Sequence, residues 1–381
     1  MMKETRPGSG LYHAHYLLDC RLDNWFRLLN ENGWHIEKRK IPQFLYMLGT
    51  SLLLTLPTLL EALIFALPIR RHKIEKAPVF IIGHWRSGTT YLQNIMSRDP
   101  QFGWCDPVST TTFNNSYLLG WLTSRVQKKV LVDARPMDNM KYGLDLPMED
   151  VFALNLISTH SIIHMIAFPR NYEKYLHEAF VEDQPLRAQR QWARSTMYVL
   201  KKISLRKHGR RLLLKSPDHT CHLAELQKLF PDAKFVNIHR DPYVTIMSTI
   251  NMFKKQMDLI RLAELPDADM DDLLETVITG LFERMYKKLF AMQDSGAFGP
   301  GCMAEIAYTD LEKDPEGCLR RIYDQLQLDG YDAALPEFRK YIDAQKGYVK
   351  NRFTISPRLR SKINSRLGFY FERYGYAMTE E

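Results

Sequence analysis

A glycine-bounded loop carries the first chemical signal in this chain. Residues 79–82 form an apolar run, and a polar turn from Gly83 to Gly88 follows it. Helical spacing of apolar residues begins at Thr89, so the order strand, loop, helix is predicted. That order directs backbone N–H groups and a helix N-terminus toward an anion. The pattern therefore predicts a phosphate-binding loop.

The spacing of the two glycines matches a nucleotide P-loop, but the next residue does not. Thr89 stands where a nucleoside triphosphatase has the lysine that reaches the β- and γ-phosphates. We therefore expect this loop to bind phosphate without cleaving a triphosphate. Its own cation is Arg86, which precedes Gly88 in the loop.

Basic residues also stand at the ends of two later strand candidates. Residues 211–215 end in Lys215, and residues 234–239 lead directly into Arg240. Carboxyl ends of parallel strands meet at one edge of a sheet, so these cations and Arg86 are expected to converge on one ligand. A magnesium-dependent phosphotransferase would carry an aspartate at such a strand end, where this chain has Arg240. A nucleotide with separated phosphates, and no metal, fits this pattern.

Strands that alternate with helices predict the architecture. With residues 302–308 as a fourth strand, the pattern indicates an α/β fold with a P-loop-like central parallel sheet flanked by helices. Residues 101–210 read as a helical acceptor-binding insertion, and residues 11–29 as an amphipathic helix. We expect a helical N-terminal region over residues 1–76 and a catalytic domain over residues 77–381.

Composition limits the classes of partner and compartment. The 381-residue chain is 45% hydrophobic and carries a net charge of +8, as expected of a globular protein that binds a polyanionic small molecule or an anionic membrane. No long Lys/Arg run occurs, so nucleic acid is not expected as a partner. Five scattered cysteines indicate reduced thiols in the cytoplasm rather than disulfides or a zinc site.

Residues 44–68 could contact a membrane. They contain 25 residues with one charge, Glu61, are interrupted by Pro57, and lie between basic clusters. The length suits a bilayer span, but a central proline and glutamate disfavour one. A broken pair of helices lying on the membrane surface, at its inner face, is favoured over residues 42–68. A helical hairpin buried against the domain and a true span remain alternatives.

Several motifs together resemble a known family, the sulfotransferases that use 3′-phosphoadenosine 5′-phosphosulfate (PAPS). The motifs cover about residues 78–320, and the form GHWRSGTT at 83–90, with PMEDVFAL at 147–154, resembles a bacterial branch. The resemblance implies in-line transfer of a sulfonate from PAPS to a hydroxyl, with release of PAP and no metal. The matching motifs are GHWRSGTT at 83–90, LKSP at 214–217, HRDP at 239–242 with Ser248, and YTDL at 308–311 with Asp314-Pro315.

The resemblance also implies roles for individual residues. Arg240 and Ser248 would hold the 3′-phosphate, and Lys215 would offset charge near the sulfonate. A late basic loop with Lys350 and Arg352 would cap the nucleotide. The 5′-phosphate and sulfonate would be bound by Arg86, Ser87, Gly88, Thr89 and Thr90.

The catalytic base cannot be carried over directly, because Pro217 stands where the family's cytosolic branch has a histidine. Glu149 is the first candidate, Asp150 the second and His219 the third. A carboxylate can act as a base when burial raises its pKa toward neutrality. Alternatively, the two acids only begin a helix at Pro147, where the dipole favours negative charge.

The acceptor and two competing functions stay open at this point. A lipophilic alcohol such as a sterol or lipid fits the apolar segment, and a carbohydrate is the alternative acceptor. A P-loop kinase or nucleoside triphosphatase, and a non-catalytic nucleotide-binding protein at the membrane, are the competing functions. The motifs do not indicate an oligomeric state.

Overall fold

The computed structural model describes residues 15–130, 143–265, 270–345 and 354–379. The strands in this part of the chain are β1 (Val79–Ile82), β2 (Phe102–Gly103), β3 (Arg211–Lys215), β4 (Lys234–His239) and β5 (Met303–Ala307). The helices are α1 (Leu22–Glu31), α2 (Ile41–Arg71), α3 (Thr89–Met96), α4 (Pro107–Thr111), α5 (Gly120–Val130), α6 (Val151–Asn155), α7 (His164–Ala167), α8 (Tyr172–Glu178), α9 (Leu186–Arg206), α10 (Leu223–Leu229), α11 (Pro242–Ile260), α12 (Met270–Asp294), α13 (Tyr308–Lys313), α14 (Pro315–Gln325), α15 (Tyr331–Ala344) and α16 (Pro357–Tyr374).

The five strands form one parallel sheet in the order β2-β3-β1-β4-β5, which confirms the predicted fold class. All four residues of β1 are buried, as its central place requires. The chain moves to β2 and β3 on one side of β1 and later to β4 and β5 on the other. The loop after β1 therefore lies at the topological switch point, where open α/β sheets bind their ligands.

Helices cover both faces of the sheet. Phe80 and Ile82 of β1 point into a core that includes α11, α12 and α16. Val79 and Ile81 point the other way, into a smaller core with α3, α14 and α15. Both faces of β1 meet a packed helical layer, and for this reason all of its residues are apolar.

The insertion between β2 and β3 is helical, as predicted, but two local expectations were wrong. The short edge strand β2 gave no apolar run to detect. The helix after Pro147 starts at Val151 instead, because the backbone N–H of Met148 donates to the carbonyl of Cys105 at 2.7 Å. That bond ties the segment to the chain after β2 before the helix can begin.

The N-terminal helix is shorter than its amphipathic pattern indicated. Residues 15–21 are not helical, and α1 begins at Leu22. Trp25, Leu28 and Leu29 are buried, whereas Phe26 is 61% exposed. The five cysteines, by contrast, are free thiols as predicted.

Residues 41–71 form the single helix α2, so the predicted broken pair of helices and the buried hairpin were both wrong. A proline inside a helix removes a hydrogen bond and costs about 3 kcal/mol. Here both sides of Pro57 are held by tertiary contacts. Ser51 accepts a hydrogen bond from Trp25 at 3.0 Å, and Glu61 pairs with Lys202 at 2.7 Å. These contacts keep the helix continuous through the proline.

One side of α2 is apolar and exposed. The buried residues of α2 are few and are spread along the whole helix, namely Gln43, Met47, Ser51, Glu61 and Ile69. Among the described residues, the segment Lys38–Arg71 is the one helix that meets the length and hydropathy of a membrane span. The exposed side, called the apolar face of α2 below, consists of Leu45, Leu52, Leu53, Leu56, Leu59, Leu60, Leu63, Ile64 and Leu67.

A buried ionic cluster attaches α2 to the insertion. Glu61 pairs with Lys202 of α9 and accepts backbone N–H bonds from Tyr117 at 3.0 Å and Leu118 at 2.9 Å. Burial raises the pKa of neighbouring Asp19 to about 7. Because a buried charge is costly without its partner, the cluster fixes the position of α2 along its axis.

Replacing Lys202 by methionine should destabilise the protein. The change leaves Glu61 buried without its cation, and we expect a loss of about 3–5 kcal/mol in unfolding free energy, measured by urea denaturation. Lys340→Met, at the exposed pair with Glu337, is the control and should cost less than about 1 kcal/mol. The double variant Glu61→Leu/Lys202→Met should regain most of the loss. A double variant no more stable than Lys202→Met would contradict the argument.

Candidate active site

The loop after β1 needs glycine at both ends. Gly83 and Gly88 have φ angles of 134° and 107°, in a region that residues with side chains rarely adopt. A Cβ atom on Gly83 would lie 2.5 Å from the carbonyl oxygen of Ile238, and one on Gly88 would overlap the ring of Tyr308. Arg86 also has a positive φ, at 69°, without being glycine. The loop is therefore held in a strained conformation, as expected of a ligand-binding turn.

Hydrogen bonds from several elements hold the loop in place. Gly83 N–H donates to Thr220 Oγ1 at 2.9 Å, and His84 N–H donates to the hydroxyl of Tyr286 at 3.3 Å. The Ser87 hydroxyl donates back to the carbonyl of His84 at 2.8 Å. Burial lowers the pKa of His84 to about 3, so this imidazole is neutral and supplies no charge to the loop.

Two arginines meet at one end of the loop. Arg86 Nε donates to Ser248 Oγ at 2.9 Å, and a terminal nitrogen of Arg240 donates to the carbonyl of Arg86 at 3.1 Å. The Arg240 guanidinium lies 4.2 Å from the centre of the Tyr308 ring. Burial lowers the pKa of Arg240, but a guanidinium keeps its charge at neutral pH. Arg86, Arg240 and Ser248 thus form one cationic group, called the arginine end below.

A lysine and a carboxylate meet at the other end. Lys215, the last residue of β3, is buried, and its Nζ lies 2.5 Å from Glu149 Oε1. The same nitrogen lies 3.2 Å from Thr90 Oγ1 in the first turn of α3. An acid from the insertion therefore contacts a cation of the sheet beside the loop. We call this group the lysine end.

The second acid of the insertion contacts the turn after β3. Asp150 Oδ1 lies 3.0 Å from His219 Nε2, and both side chains are buried. Burial acts to lower the pKa of His219, but the charge and hydrogen bond of Asp150 outweigh it, so the pKa is raised. Burial raises the pKa of adjacent Asp218 to about 6. Asp150 precedes α6 without capping it, so the view of both acids as helix-end residues only is wrong.

The fold brings the predicted site residues together in two groups. Arg86 lies with Ser248 and Arg240 rather than with Lys215, although the family resemblance placed it on the sulfonate. Lys350 and Arg352 lie outside the described residues. The predicted residues at the carboxyl edge of the sheet are Arg86, Ser87, Gly88, Thr89, Thr90, Glu149, Asp150, Lys215, His219, Arg240 and Ser248.

Sequence reasoning assigned no role to two residues that shape the site. Tyr308 lies against both Gly88 and Arg240, and Thr220 holds the N–H of Gly83. The position of Tyr308 directly after β5 was a usable signal, because strand ends at this edge face the ligand. Thr220 gave no signal, since a threonine in a turn has many other uses.

Comparison with known proteins settles the family. A sequence model described as the sulfotransferase family matches residues 78–333. The chain is also 30% identical over 390 residues to the omega-hydroxy-beta-dihydromenaquinone-9 sulfotransferase Stf3 of Mycobacterium bovis, spanning 98% of this chain and 96% of that protein. The chain belongs to the sulfotransferase family. This membership confirms the predicted enzyme class over a kinase, a triphosphatase or a non-catalytic protein.

Two solved structures share the fold of this sulfotransferase. The sulfotransferase STF9 of Mycobacterium avium superposes with a TM-score of 0.67 at 18% identity, covering 95% of this chain and 98% of that one. The sulfotransferase STF1 of Mycobacterium tuberculosis superposes with a TM-score of 0.59, also at 18% identity, covering 90% of this chain and 93% of that one. At these identities the likeness establishes the fold alone.

Stability should depend on pH through His219. Its pKa is raised by folding, so the stability it contributes is complete below the unfolded pKa and is lost as pH rises through the folded value. His219→Gln should therefore cost more unfolding free energy near pH 6 than near pH 9, measured by urea denaturation. His164 is the matched control, because burial lowers its pKa to about 3. His164→Gln should cost more as pH rises, and equal trends for both variants would contradict this assignment.

Proposed function

We propose that this sulfotransferase transfers the sulfonate of PAPS to the hydroxyl of a lipophilic acceptor. The observation that carries the proposal is the contact of Lys215 with both Glu149 and Thr90 beside the phosphate loop. It unites a cation for the leaving phosphate, a donor-binding hydroxyl and a carboxylate base. These are the parts that sulfonate transfer to an alcohol needs.

The two cationic groups fit a nucleotide with phosphates on both its 3′ and 5′ positions. We assign the 3′-phosphate to the arginine end, where Arg240 and Ser248 lie next to Arg86. The loop after β1 and the hydroxyl of Thr90 would receive the 5′-phosphosulfate. The close approach of Gly88 to Tyr308 supports a tight turn here, since no side chain fits between them. The phosphates would thus lie along the carboxyl edge of the sheet.

The chain's own side chains have distinct tasks in the transfer. Glu149 accepts the proton of the acceptor hydroxyl while the oxygen of that hydroxyl bonds to the sulfur of PAPS. The bond between sulfur and the phosphate oxygen breaks, and Lys215 offsets the negative charge that develops on PAP. Asp150 and His219 are positioning residues, because their contact joins the segment that carries Glu149 to the turn after Lys215.

The acceptor class rests on two observations. The name of the relative Stf3 states a sulfotransferase that acts on a hydroxylated menaquinone derivative, which is a lipid. The apolar face of α2 offers this chain a surface for contact with lipid. We therefore place the enzyme in the cytoplasm, in peripheral contact with the membrane through residues 42–68.

Arg240→Ala should weaken the binding of PAP selectively. Loss of a charge-assisted contact to the 3′-phosphate is expected to cost about 1.5–3 kcal/mol, roughly ten- to 150-fold in Kd, by calorimetry. Binding of 5′-AMP, which has no 3′-phosphate, should change little. Arg320→Ala, at an exposed arginine of α14, is the control for loss of charge. Equal loss for PAP and 5′-AMP would refute the 3′-phosphate assignment.

Glu149→Gln should remove the base while leaving donor binding intact. We expect kcat to fall about 10²–10⁴-fold, with PAP affinity within a few-fold of the wild type. The assay follows labelled sulfonate from PAPS to a long-chain primary alcohol, with product mass as the readout.

Asp150→Asn is the matched control for Glu149→Gln, because it alters the neighbouring acid and spares the proposed base. It should reduce kcat less. If Asp150→Asn reduces kcat as much as Glu149→Gln, the assignment of the base is wrong. No transfer by the wild-type enzyme to any alcohol would overturn the proposed function itself.

A further inference from the structure

Helix α9 presents a row of arginines to solvent. Arg187, Arg190 and Arg194 are exposed and line a surface groove of about 440 Å³ together with Gln191 and Ser195. Their spacing of three, four and seven residues places all three on one side of the helix. None of them forms an ion pair with a residue in the described ranges. We call these three residues the arginine stripe.

The arginine stripe lies on the side of α9 that α2 also occupies. Lys201 follows Arg194 by seven residues and thus shares its side of the helix. The Nζ of Lys201 donates to the carbonyl of Arg70, near the end of α2, at 3.1 Å. Neighbouring Lys202 pairs with Glu61 of α2. The arginine stripe and the residues of α9 that contact α2 therefore lie along the same side of α9.

Charge at the ends of α2 indicates what covers its apolar face. Lys38 and Arg39 are exposed just before the helix, and Arg70 and Arg71 are exposed at its end. A second copy packed on this face, parallel or antiparallel, would bring basic ends against basic ends. An anionic lipid surface is complementary to both ends and to the apolar residues between them.

The packing of α2 favours a helix that lies in the membrane surface. It is about 46 Å long, and its buried residues contact the protein from Gln43 to Ile69. A helix packed against the domain along its whole length cannot cross a bilayer without carrying the domain with it. Two exposed aromatic rings suit the headgroup region: Trp34, which precedes α2, and Trp121, four residues after the Tyr117 that stacks on Phe65 of α2.

The depth to which α2 would enter a membrane determines where the arginine stripe would lie. Packed helices lie about 8–10 Å apart, and helices in the membrane surface penetrate about 5–10 Å. When the apolar face of α2 enters the acyl boundary, the side of α9 next to it comes level with the lipid phosphates. Arginine suits this position, because its guanidinium binds phosphate oxygens through two parallel hydrogen bonds.

We propose that the arginine stripe on α9 is a binding site for anionic lipid headgroups, which docks the enzyme on a membrane together with the apolar face of α2. The site deepens the proposed function, on which its biological role rests, by stating how a lipid-embedded acceptor meets the enzyme. The ion pair of Glu61 and Lys202 fixes the position of α2 relative to α9, and these are the two helices that contact the lipid in this proposal.

Vesicle binding by the full-length protein tests the proposal. The probes are vesicles of phosphatidylcholine alone and of phosphatidylcholine with about one-third phosphatidylglycerol, assayed by co-flotation at low and high salt. Replacing Arg187, Arg190 and Arg194 by glutamine should weaken binding to anionic vesicles by roughly 100-fold, at about fivefold per arginine. Binding to neutral vesicles should change little. Leu53→Gln/Leu63→Gln should weaken binding to both kinds of vesicle.

A charge-matched control separates the stripe from net charge. Arg320, Arg339 and Lys340 belong to α14 and α15, which pack on the other face of the sheet, and their replacement by glutamine removes the same charge. This variant should bind anionic vesicles like the wild type. Equal loss in both triple variants, or no loss in the stripe variant, would overturn the proposal.

Further outcomes distinguish other partners. A wild-type dimer in sedimentation velocity that Leu53→Gln/Leu63→Gln dissociates would assign the apolar face to a second copy and overturn the docking model. Loss of RNA binding in the stripe variant, with vesicle binding unchanged, would assign the arginine stripe to RNA and overturn its assignment to lipid headgroups. Transfer to a long-chain primary alcohol dissolved in detergent, without vesicles, reports on the proposed chemistry alone. If the wild type transfers sulfonate to no alcohol under these conditions, the proposed function is refuted, whatever the vesicles show.

Discussion

The ion pair between Lys215 and Glu149 is the contact on which the candidate site depends. It joins the end of a central strand to a segment more than sixty residues earlier in the chain, at 2.5 Å. The neighbouring contact of Asp150 with His219 adds a second link between the same two segments. Two consecutive acids thereby hold the insertion against the sheet. A site assembled from both parts can keep its geometry only while these contacts persist.

The parallel sheet supplies the other half of that geometry. Strands β1, β3, β4 and β5 all end at one edge, and each end contributes a residue to the site. The glycine-bounded loop after β1, Lys215, Arg240 and Tyr308 come from these four ends. Backbone strain at Arg86 and the close approach at Gly88 are tolerated because the surrounding strands and hydrogen bonds determine the loop. The order of the strands therefore decides which side chains can share a ligand.

A second polar contact organises the exposed apolar face of α2. Glu61 is the one charge within the apolar stretch, and its burial against Lys202 turns the remaining leucines of α2 outward. A buried ion pair adds little net stability compared with apolar packing, but it allows one register of α2 on α9. The same pair connects the exposed apolar face with the arginines of α9. The candidate site and the apolar face of α2 thus depend on the same kind of contact, a buried ion pair that joins distant segments.

The sequence alone determined the fold class, the glycine-bounded loop between β1 and α3, and the cations at the strand ends, because alternating apolar runs and glycine spacing are local signals. It did not determine the partners of Glu149, Asp150 and Glu61, since ion pairs between distant segments leave no periodic pattern. Local rules also misled at Pro57 and Pro147, where tertiary contacts outweighed helix propensity. Only the tertiary structure decided that α2 is continuous and where the arginines of α9 face. Those features follow from packing between elements, and no stretch of sequence records that packing by itself.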